Sequence, residues 1–215
     1  MKWPLRSPEI PPASSQEDGG ELTVSQTSKA LNTLLYRLKA ANRDYRFLDL
    51  GPASGQKLEF LSQYGTKVHF EDLYRTLNSF DYLSPEDGVS YDSIFRYLLP
   101  YQRSIQFDVI LGWDLLNYLR PEEFKHLMRH LTRFCRPGAL LFALISTQKT
   151  IPEQPASIEI VGPETLSCKT NPRIMRKCPQ YQETDLGRFM PNFRVLNSFL
   201  LRNGFKEYLF ACDRG

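Results

Sequence analysis

A nine-residue run, FLDLGPASG at positions 47–55, constrains the fold more than any other part of the chain. Residues 45–50 are largely apolar and predict a buried strand, whereas residues 56–64 carry leucines at helical spacing. Small residues occupy the turn between them, namely Gly51, Ala53 and Gly55. Because small residues let a ligand approach the backbone, this strand, turn and helix predict a site for the polar part of a nucleotide-like cofactor.

Strands and helices alternate along most of the remaining sequence. Apolar runs of strand length occur at 66–71, 107–113 and 139–146, with a weaker one at 88–92. Amphipathic patterns of helix length occur at 25–41, 73–80, 93–99 and 121–135. This alternation predicts an α/β fold in which helices cover both faces of a mostly parallel sheet.

The end of the chain departs from this alternation. Residues 193–201 and 205–212 are two strand-like runs that flank Asn203 and Gly204. Because both of these residues tolerate a positive φ, the pattern predicts a hairpin that adds an antiparallel pair to the sheet. A helix over 195–203, ended by Gly204, is the alternative.

Two segments fall outside the regular pattern. Residues 1–24 are rich in Pro, Ser, Glu and Gly and lack any period, which predicts a mobile tail before a domain at 25–215. Residues 148–177 join a strand to the next expected helix and form a longer connection than most. Their runs 158–161 and 165–168 can pair as a ribbon over the site, which predicts a lid. A disordered insertion is the alternative.

The composition restricts the possible partners and locations. The formal net charge of +3 on 215 residues is too small to predict nucleic-acid or membrane binding by itself. No apolar run approaches the roughly 20 residues that span a bilayer. The 4 cysteines are widely spaced, which predicts free thiols and a cytoplasmic location. The oligomeric state does not follow from the sequence.

Two histidines, His126 and His130, have the i, i+4 spacing that can bind a metal ion on a helix. Leu127 and Leu131 mark the core-facing side of the same helix. The histidines are therefore expected on a solvated face, and no metal site is predicted.

Four features in this order resemble the class I S-adenosylmethionine-dependent methyltransferases. They are the segment Asp49-Leu50-Gly51-Pro52-Ala53-Ser54-Gly55, the acid Asp72 that follows Gly51 by 21 positions, the strand at 107–111, and Arg136-Pro137-Gly138 before the next strand. The resemblance covers residues 25–212 and implies S-adenosylmethionine as the cofactor. It also implies a doubly wound, seven-stranded, mostly parallel sheet with a C-terminal antiparallel hairpin.

The resemblance implies which residues near the turn contact the cofactor. The turn residues would lie against the methionine moiety and the ribose, namely Gly51, Pro52, Ala53 and Gly55. Asp49 would face the methionine amino group, and its alternative role is to cap the turn through backbone amides.

The acids after the second strand would contact the rest of the cofactor. Asp72 would accept hydrogen bonds from both ribose hydroxyls. Glu71 is the alternative, because alternation along a strand lets only one of the two face the cofactor. The resemblance further implies that Leu73 lies against the adenine, and Asp92 is the candidate for an acid that contacts the adenine.

Residues after the fourth strand are expected at the methyl-transfer crevice, since open α/β sheets bind ligands at the carboxyl ends of their strands. Trp113 is expected to line the cofactor site, with core packing as the alternative. Asp114 and Tyr118 are candidates for orienting the methyl acceptor. Displacement at a sulfonium needs a weak base or none, so no catalytic residue is assigned.

The acceptor is constrained mainly by motifs that the chain lacks. The end of the fourth strand carries no Asn/Asp-Pro-Pro-Tyr run and no Pro-Cys pair. This disfavours transfer to adenine amines, glutamine side chains or cytosine, and favours a small molecule first and a protein side chain second. A catalytically silent module that senses the cofactor or binds a partner is the alternative. A nicotinamide-binding protein is disfavoured because Gly-x-Gly-x-x-Gly is missing.

Overall fold

The structure, a computed structural model, describes residues 16–18, 20–41, 43–79 and 88–213. Its strands are β1 (Gln16–Asp18), β2 (Glu21–Thr27), β3 (Tyr45–Asp49), β4 (Gly65–Phe70), β5 (Phe107–Trp113), β6 (Cys135–Ser146), β7 (Thr150–Pro152), β8 (Ser157–Gly162), β9 (Thr165–Thr170), β10 (Met175–Lys177), β11 (Phe193–Leu200) and β12 (Phe205–Cys212). Its helices are α1 (Lys29–Ala41), α2 (Gly55–Leu61), α3 (Leu73–Ser79), α4 (Tyr91–Leu98), α5 (Pro121–Thr132) and α6 (Glu183–Phe189), with a 3-10 turn at Leu115–Tyr118. Within these ranges, no helix is long and apolar enough to cross a membrane.

Six strands form the main sheet, in the order β11-β12-β6-β5-β3-β4. The strands β4, β3, β5 and β6 run parallel, and β12 pairs antiparallel with both β6 and β11. Residues 195–203 do not form the alternative helix, since most of them belong to β11. Gly204 takes a φ of +79° in the turn before β12, a conformation that suits a residue without Cβ. The predicted α/β fold with a mostly parallel sheet is confirmed.

Among the described residues, the main sheet has six strands and not the seven predicted. Residues 88–92, predicted as a weak strand, lead into α4 instead. The Ser90 side chain accepts a hydrogen bond from the Ser93 amide and caps this helix. The helix buries one face, formed by Ile94, Phe95 and Leu98. Capping and burial of this face therefore override the weak strand pattern.

A second sheet, in the order β1-β2-β9-β8, combines the start of the chain with the long connection at 148–177. The predicted ribbon is present, because β8 and β9 form an antiparallel hairpin. Residues 21–27 form β2, so the predicted tail and the predicted helix start at residue 25 are both wrong for this segment. The partner of β2 is β9, far along the chain, which local pattern cannot reveal. The other tail residues, 1–15 and 19, lie outside the described residues.

Apolar side chains pack against both faces of the main sheet. One cluster includes the buried stripe of α1, formed by Leu31, Leu34, Leu35 and Leu38. Another cluster includes side chains of α4, α5 and α6, among them Phe95, Phe124 and Phe189. All seven residues of β5 are buried, as expected for a strand covered on both sides. The β8–β9 hairpin adds Ile158, Ile160 and Leu166 to the α1 cluster, so it is part of the core.

The start of α1 is fixed by side chains from distant parts of the chain. The Ser28 hydroxyl accepts a hydrogen bond from the Leu31 amide, and the buried Glu207 carboxylate on β12 accepts one from the Ala30 amide. The Ser28 amide donates to the carbonyl of Glu164 in the turn of the hairpin, at 2.8 Å. These contacts connect α1, the hairpin and the main sheet.

Candidate functional site

A cavity of about 440 Å³ opens at the carboxyl ends of β3 and β5. Its floor is the turn after β3, its walls come from α3 and from the residues after β5, and its roof is the segment 154–158. Ligands of open α/β sheets bind at this edge of the sheet. The cavity is therefore the candidate active site.

The turn after β3 forms the floor because it carries little side-chain bulk. A Cβ on Gly51 would lie 3.1 Å from Trp113 Cδ1 and 3.3 Å from Asp49 Oδ1, so this position favours glycine. Gly51 and Pro52 line the cavity. Ala53 and Gly55, also predicted at the cofactor site, are exposed and are not among the residues that line it.

Asp49 lies beneath the floor rather than on it. Its side chain is fully buried, and its Oδ1 accepts hydrogen bonds from the Gly51 amide at 2.8 Å and the Trp113 Nε1 at 2.6 Å. Its Oδ2 lies 3.2 Å from the Lys57 ammonium. Burial raises the pKa of the Asp49 carboxyl, although the charge of Lys57 and the Trp113 hydrogen bond act in the opposite direction. The predicted capping role is present, since the carboxylate holds the turn.

Trp113 ends β5 and forms part of the cavity wall. Its φ of 47° lies in the left-handed region, which costs a non-glycine residue about 1–3 kcal/mol unless surrounding contacts hold it. The hydrogen bond to Asp49 and an edge-to-face contact with Phe142, with ring centroids 5.7 Å apart, supply such contacts. Trp113 thus lines the cavity and packs in the core at once.

The two acids after β4 point in different directions. Asp72 lines the cavity, and its Oδ1 also accepts a hydrogen bond from the Arg75 amide at the start of α3, at 3.3 Å. Glu71 instead accepts a hydrogen bond from the Tyr101 hydroxyl at 2.5 Å and is not a lining residue. Leu73 is buried in the core with 1% exposure. Of these three predicted residues, the structure brings only Asp72 to the cavity.

The prediction for Asp92 as an adenine contact is corrected by the structure. Asp92 lies in the first turn of α4, because its segment is helical and not a strand, and it does not line the cavity. Its Oδ1 lies 2.7 Å from His126 Nδ1, and this contact lowers the pKa of Asp92. His130 is buried, with Nε2 3.1 Å from the Leu99 carbonyl oxygen. The predicted solvated face is therefore wrong for His130, whereas His126 remains partly exposed.

Three side chains, one from α3 and two from the residues after β5, hold the roof of the cavity. Residues 153–156 are named the strap. The Tyr74 hydroxyl donates to the Glu153 carbonyl and the Tyr118 hydroxyl donates to the Gln154 carbonyl, both at 2.9 Å. The Ala156 amide donates to Asp114 Oδ2, also at 2.9 Å. Asp114 and Tyr118, predicted to orient an acceptor, therefore hold the strap, and Asp114 also lines the cavity.

Burial changes the acidity of the side chains that hold the strap. Asp114 is 4% exposed, and desolvation raises its pKa to about 6 although the Ala156 amide favours the charged form. Desolvation also raises the pKa of Tyr118, and the nearby charge of Asp114 adds to this effect. Asp114 is thus a carboxyl group on the cavity wall whose pKa is raised to about 6.

The hairpin closes the site on the side of α2. Ser54, which caps α2 through the Lys57 amide, donates its hydroxyl hydrogen bond to Glu159 on β8 at 2.6 Å. The Gln56 side chain donates to the Ile160 carbonyl at 3.5 Å. The connection at 148–177 therefore supplies both the roof of the cavity and a cover over the adjacent helix.

Lys57 is the site residue that sequence reasoning missed most clearly. Its side chain is 1% exposed and lines the cavity, whereas Leu58, expected on the inner face of α2, is 47% exposed. The spacing indicated this position, because Lys57 precedes Leu61 by four residues and so lies on the same face of α2. In the structure Leu61 is fully buried. Tyr74, also missed, gave no comparable signal, since its partner is a distant carbonyl.

The comparisons with known proteins agree with this fold. Residues 24–193 match a family model described as a methyltransferase domain. A solved S-adenosylmethionine-dependent methyltransferase from Clostridium acetobutylicum has a TM-score of 0.51 and 12% identity, with 88% of this chain and 93% of that chain covered. The PH0226 protein from Pyrococcus horikoshii also has a TM-score of 0.51, with 16% identity and coverage of 86% and 89%. No curated protein sequence matches the chain significantly.

The fold is that of a class I methyltransferase, with a cavity at the carboxyl edge of its parallel strands. Because the family model matches most of its length, the chain belongs to the methyltransferase domain family. The sequence-based prediction of an S-adenosylmethionine-dependent methyltransferase is confirmed at the level of this family.

Proposed function

We propose that the chain transfers a methyl group from S-adenosylmethionine to a small-molecule acceptor in the cavity beneath the strap. The observation that carries this proposal is the joint position of Gly51 and Asp72 on the wall of one roofed cavity. A volume of about 440 Å³ falls within the usual size of small-molecule sites. A roof over such a cavity favours a small acceptor over a macromolecular surface.

The residues present fit the polar groups of the cofactor. The Asp72 carboxylate can accept hydrogen bonds from two ribose hydroxyls, and the floor at Gly51 and Pro52 leaves backbone accessible to a ligand. Lys57 and Trp113 complete the wall on the side of α2 and β5. We propose that this end of the cavity takes the methionine moiety.

The protein's part in the reaction is orientation and exclusion of water. The cofactor, when bound, supplies the electrophilic methyl group, so the chain needs no covalent intermediate. Asp114 lies on the wall after β5 and is largely ionised above pH 6, so it can accept a hydrogen bond from an acceptor group. The strap and hairpin shield this position from solvent. We propose that the connection at 148–177 acts as the cover of the site.

The location is proposed from the cysteines. The 4 cysteines, at positions 135, 168, 178 and 212, form no disulfide bond in the described part of the chain. Free thiols are typical of a reducing compartment. We therefore propose a cytoplasmic protein.

Thermal unfolding with S-adenosylmethionine, S-adenosylhomocysteine or NAD tests the cofactor. A ligand at 100 times its Kd adds about 2.7 kcal/mol, which raises the Tm by roughly 5–10 °C for a chain of this size. We expect this shift with the two adenosyl sulfur compounds and none with NAD. A shift with NAD alone, or with none of the three, would contradict the proposed cofactor.

Labelled methyl transfer tests the acceptor. The protein is incubated with S-adenosylmethionine labelled in its methyl group and a cell extract separated into small molecules and proteins. We expect label in the small-molecule fraction. Label only in proteins would identify a side-chain acceptor instead, and binding of the cofactor without any transfer would favour the silent, cofactor-sensing module.

A further inference from the structure

The Lys57 ammonium is buried at the wall of the cavity. The side chain is 1% exposed, and Nζ lies 3.2 Å from Asp49 Oδ2. Nζ also lies 5.5 Å from the ring centroids of Phe70 and Trp113. Lys57 lines the cavity, whereas Asp49 does not. A ligand in the cavity can therefore contact Lys57, whereas Asp49 lies behind the residues that line the cavity.

Asp49 is already engaged by the protein. Its Oδ1 accepts two hydrogen bonds, from Gly51 and Trp113, whereas its buried Oδ2 accepts no hydrogen bond from the described residues and lies 3.2 Å from Lys57 Nζ as an ion pair. An ammonium group of a ligand would have to displace Lys57 to reach this carboxylate, and like charges repel strongly in a poorly solvated site. The arrangement disfavours direct contact between Asp49 and the methionine amino group.

Lys57 has more hydrogen-bond donors than its surroundings use. An ammonium group carries three donors, and among the described residues its one ion-pair partner is Asp49. Buried donors without acceptors are costly, so the unused donors favour an oxygen ligand from the cavity. The ammonium of Lys57 also suits a negatively charged ligand. A carboxylate meets both requirements.

We propose that Lys57 binds the carboxylate of the methionine moiety, and that Asp49 acts on the cofactor only through Lys57, as a positioning residue. This assignment rests on the proposed function, since it takes S-adenosylmethionine as the ligand. Lys57 is then the residue that selects cofactors with an intact carboxylate. Asp49 holds the lysine in place by charge.

The first test compares three ligands on the unmodified protein by titration calorimetry. They are S-adenosylhomocysteine, its analogue without the carboxylate, and its analogue without the amino group. We expect loss of the carboxylate to weaken binding by about 10- to 100-fold, as for a buried charged hydrogen bond, and loss of the amino group to weaken it less. The reverse ranking would overturn the role of Lys57. Absence of binding by all three ligands would overturn the proposed function as well.

The second test removes both charges of the Asp49–Lys57 pair in one variant. The double variant Asp49→Asn/Lys57→Met avoids an unpaired buried charge, and Asn keeps the oxygen that accepts from Gly51 and Trp113. We expect this variant to bind S-adenosylhomocysteine and its decarboxylated analogue with similar affinity. The control is Lys67→Met on the exposed side of β4, which should keep the ratio of the unmodified protein. An unchanged ratio in the folded double variant would overturn the assignment.

Discussion

Tyr74 and Tyr118 meet edge to face, with ring centroids 5.2 Å apart, and their hydroxyls donate to consecutive carbonyls of the strap. Tyr74 lies on α3, and Tyr118 lies in the turn after β5. The pair therefore connects α3 and the turn after β5 to consecutive residues of the strap. Asp114 accepts a hydrogen bond from the Ala156 amide at 2.9 Å, so side chains from α3 and from the residues after β5 together hold the strap.

Removal of one tyrosine hydroxyl should loosen the strap. The Tyr118→Phe variant loses the hydrogen bond to the Gln154 carbonyl, so we expect it to lose about 1 kcal/mol of unfolding free energy. Hydrogen exchange at the Ala156 amide should become faster, because that amide is protected only while the strap is seated. Mass spectrometry of peptides covering residues 153–158 measures the change. Tyr36→Phe, at a side chain 73% exposed, is the control and should leave exchange unchanged.

The stability of the protein should depend on pH through Asp114. Burial raises its pKa to about 6 from an ordinary value of 3.8, so the folded state binds this proton more tightly than the unfolded chain does. The contribution of Asp114 to stability is therefore greatest below pH 3.8 and falls by about 2–3 kcal/mol as the pH rises to 6. Asp114→Asn removes this dependence.

Chemical unfolding of both proteins at several values between about pH 4 and 7 checks this sign. The Asp114→Asn variant should become more stable relative to the unmodified protein as the pH increases. Asp49 and Glu207 also have raised pKa values, but they are present in both proteins and their contributions cancel in the difference. A difference that stays constant with pH would show that Asp114 titrates alike in the folded and unfolded states.

The two acids after β4 should respond differently to substitution. Asp72→Ala should weaken binding of S-adenosylhomocysteine about 5- to 150-fold, because two buried ribose hydroxyls lose their acceptor. Asp72→Asn retains a cap for α3 and so separates the loss of charge from the loss of the helix start. Glu71→Ala removes the acceptor of the Tyr101 hydroxyl and should lower stability while leaving affinity nearly unchanged. Calorimetry with the opposite result would assign the ribose to Glu71.

The segment after β3 should tolerate a methyl group at Gly55, which starts α2, and not at Gly51, which lies on the cavity floor. Gly51→Ala places a Cβ 3.1 Å from Trp113 Cδ1, so the indole must move, at a cost of about 1–3 kcal/mol in unfolding free energy. Gly55→Ala meets open space at the first position of α2 and should be neutral or slightly stabilising. Equal effects of the two substitutions in denaturant unfolding would contradict this difference.

The sequence pattern correctly predicted those elements whose conformation depends on residues adjacent in the chain. The turn at Gly51 follows a buried strand and opens a helix, as the small residues indicated. Gly204 supplies the positive φ that the hairpin before β12 needs. The acid Asp72 was distinguished from Glu71 by position in the motif, and it is the one of the two that lines the cavity.

The features that were missed depend on distant partners. β2 is a strand because β9 pairs with it, and no property of residues 21–27 identifies that partner. Tyr74 is a site residue only because the Glu153 carbonyl comes within reach. Asp92 was assigned to a strand that is absent from this segment, where the Ser90 cap favours a helix. The sequence therefore predicted where the cavity lies, but it did not predict which side chains hold the strap over it.

The anchoring of the β8–β9 hairpin determines how the cavity can be reached. The turn of the hairpin binds α1 through Glu164, and its apolar side chains Ile158, Ile160 and Leu166 are each at most 3% exposed. Exposing three such side chains costs about 5–9 kcal/mol, whereas releasing the three hydrogen bonds of the strap costs about 2–5 kcal/mol. Displacing the strap therefore costs less free energy than displacing the hairpin. We expect ligands to pass the strap while the hairpin stays in place, so the width of that opening should limit the size of an acceptor.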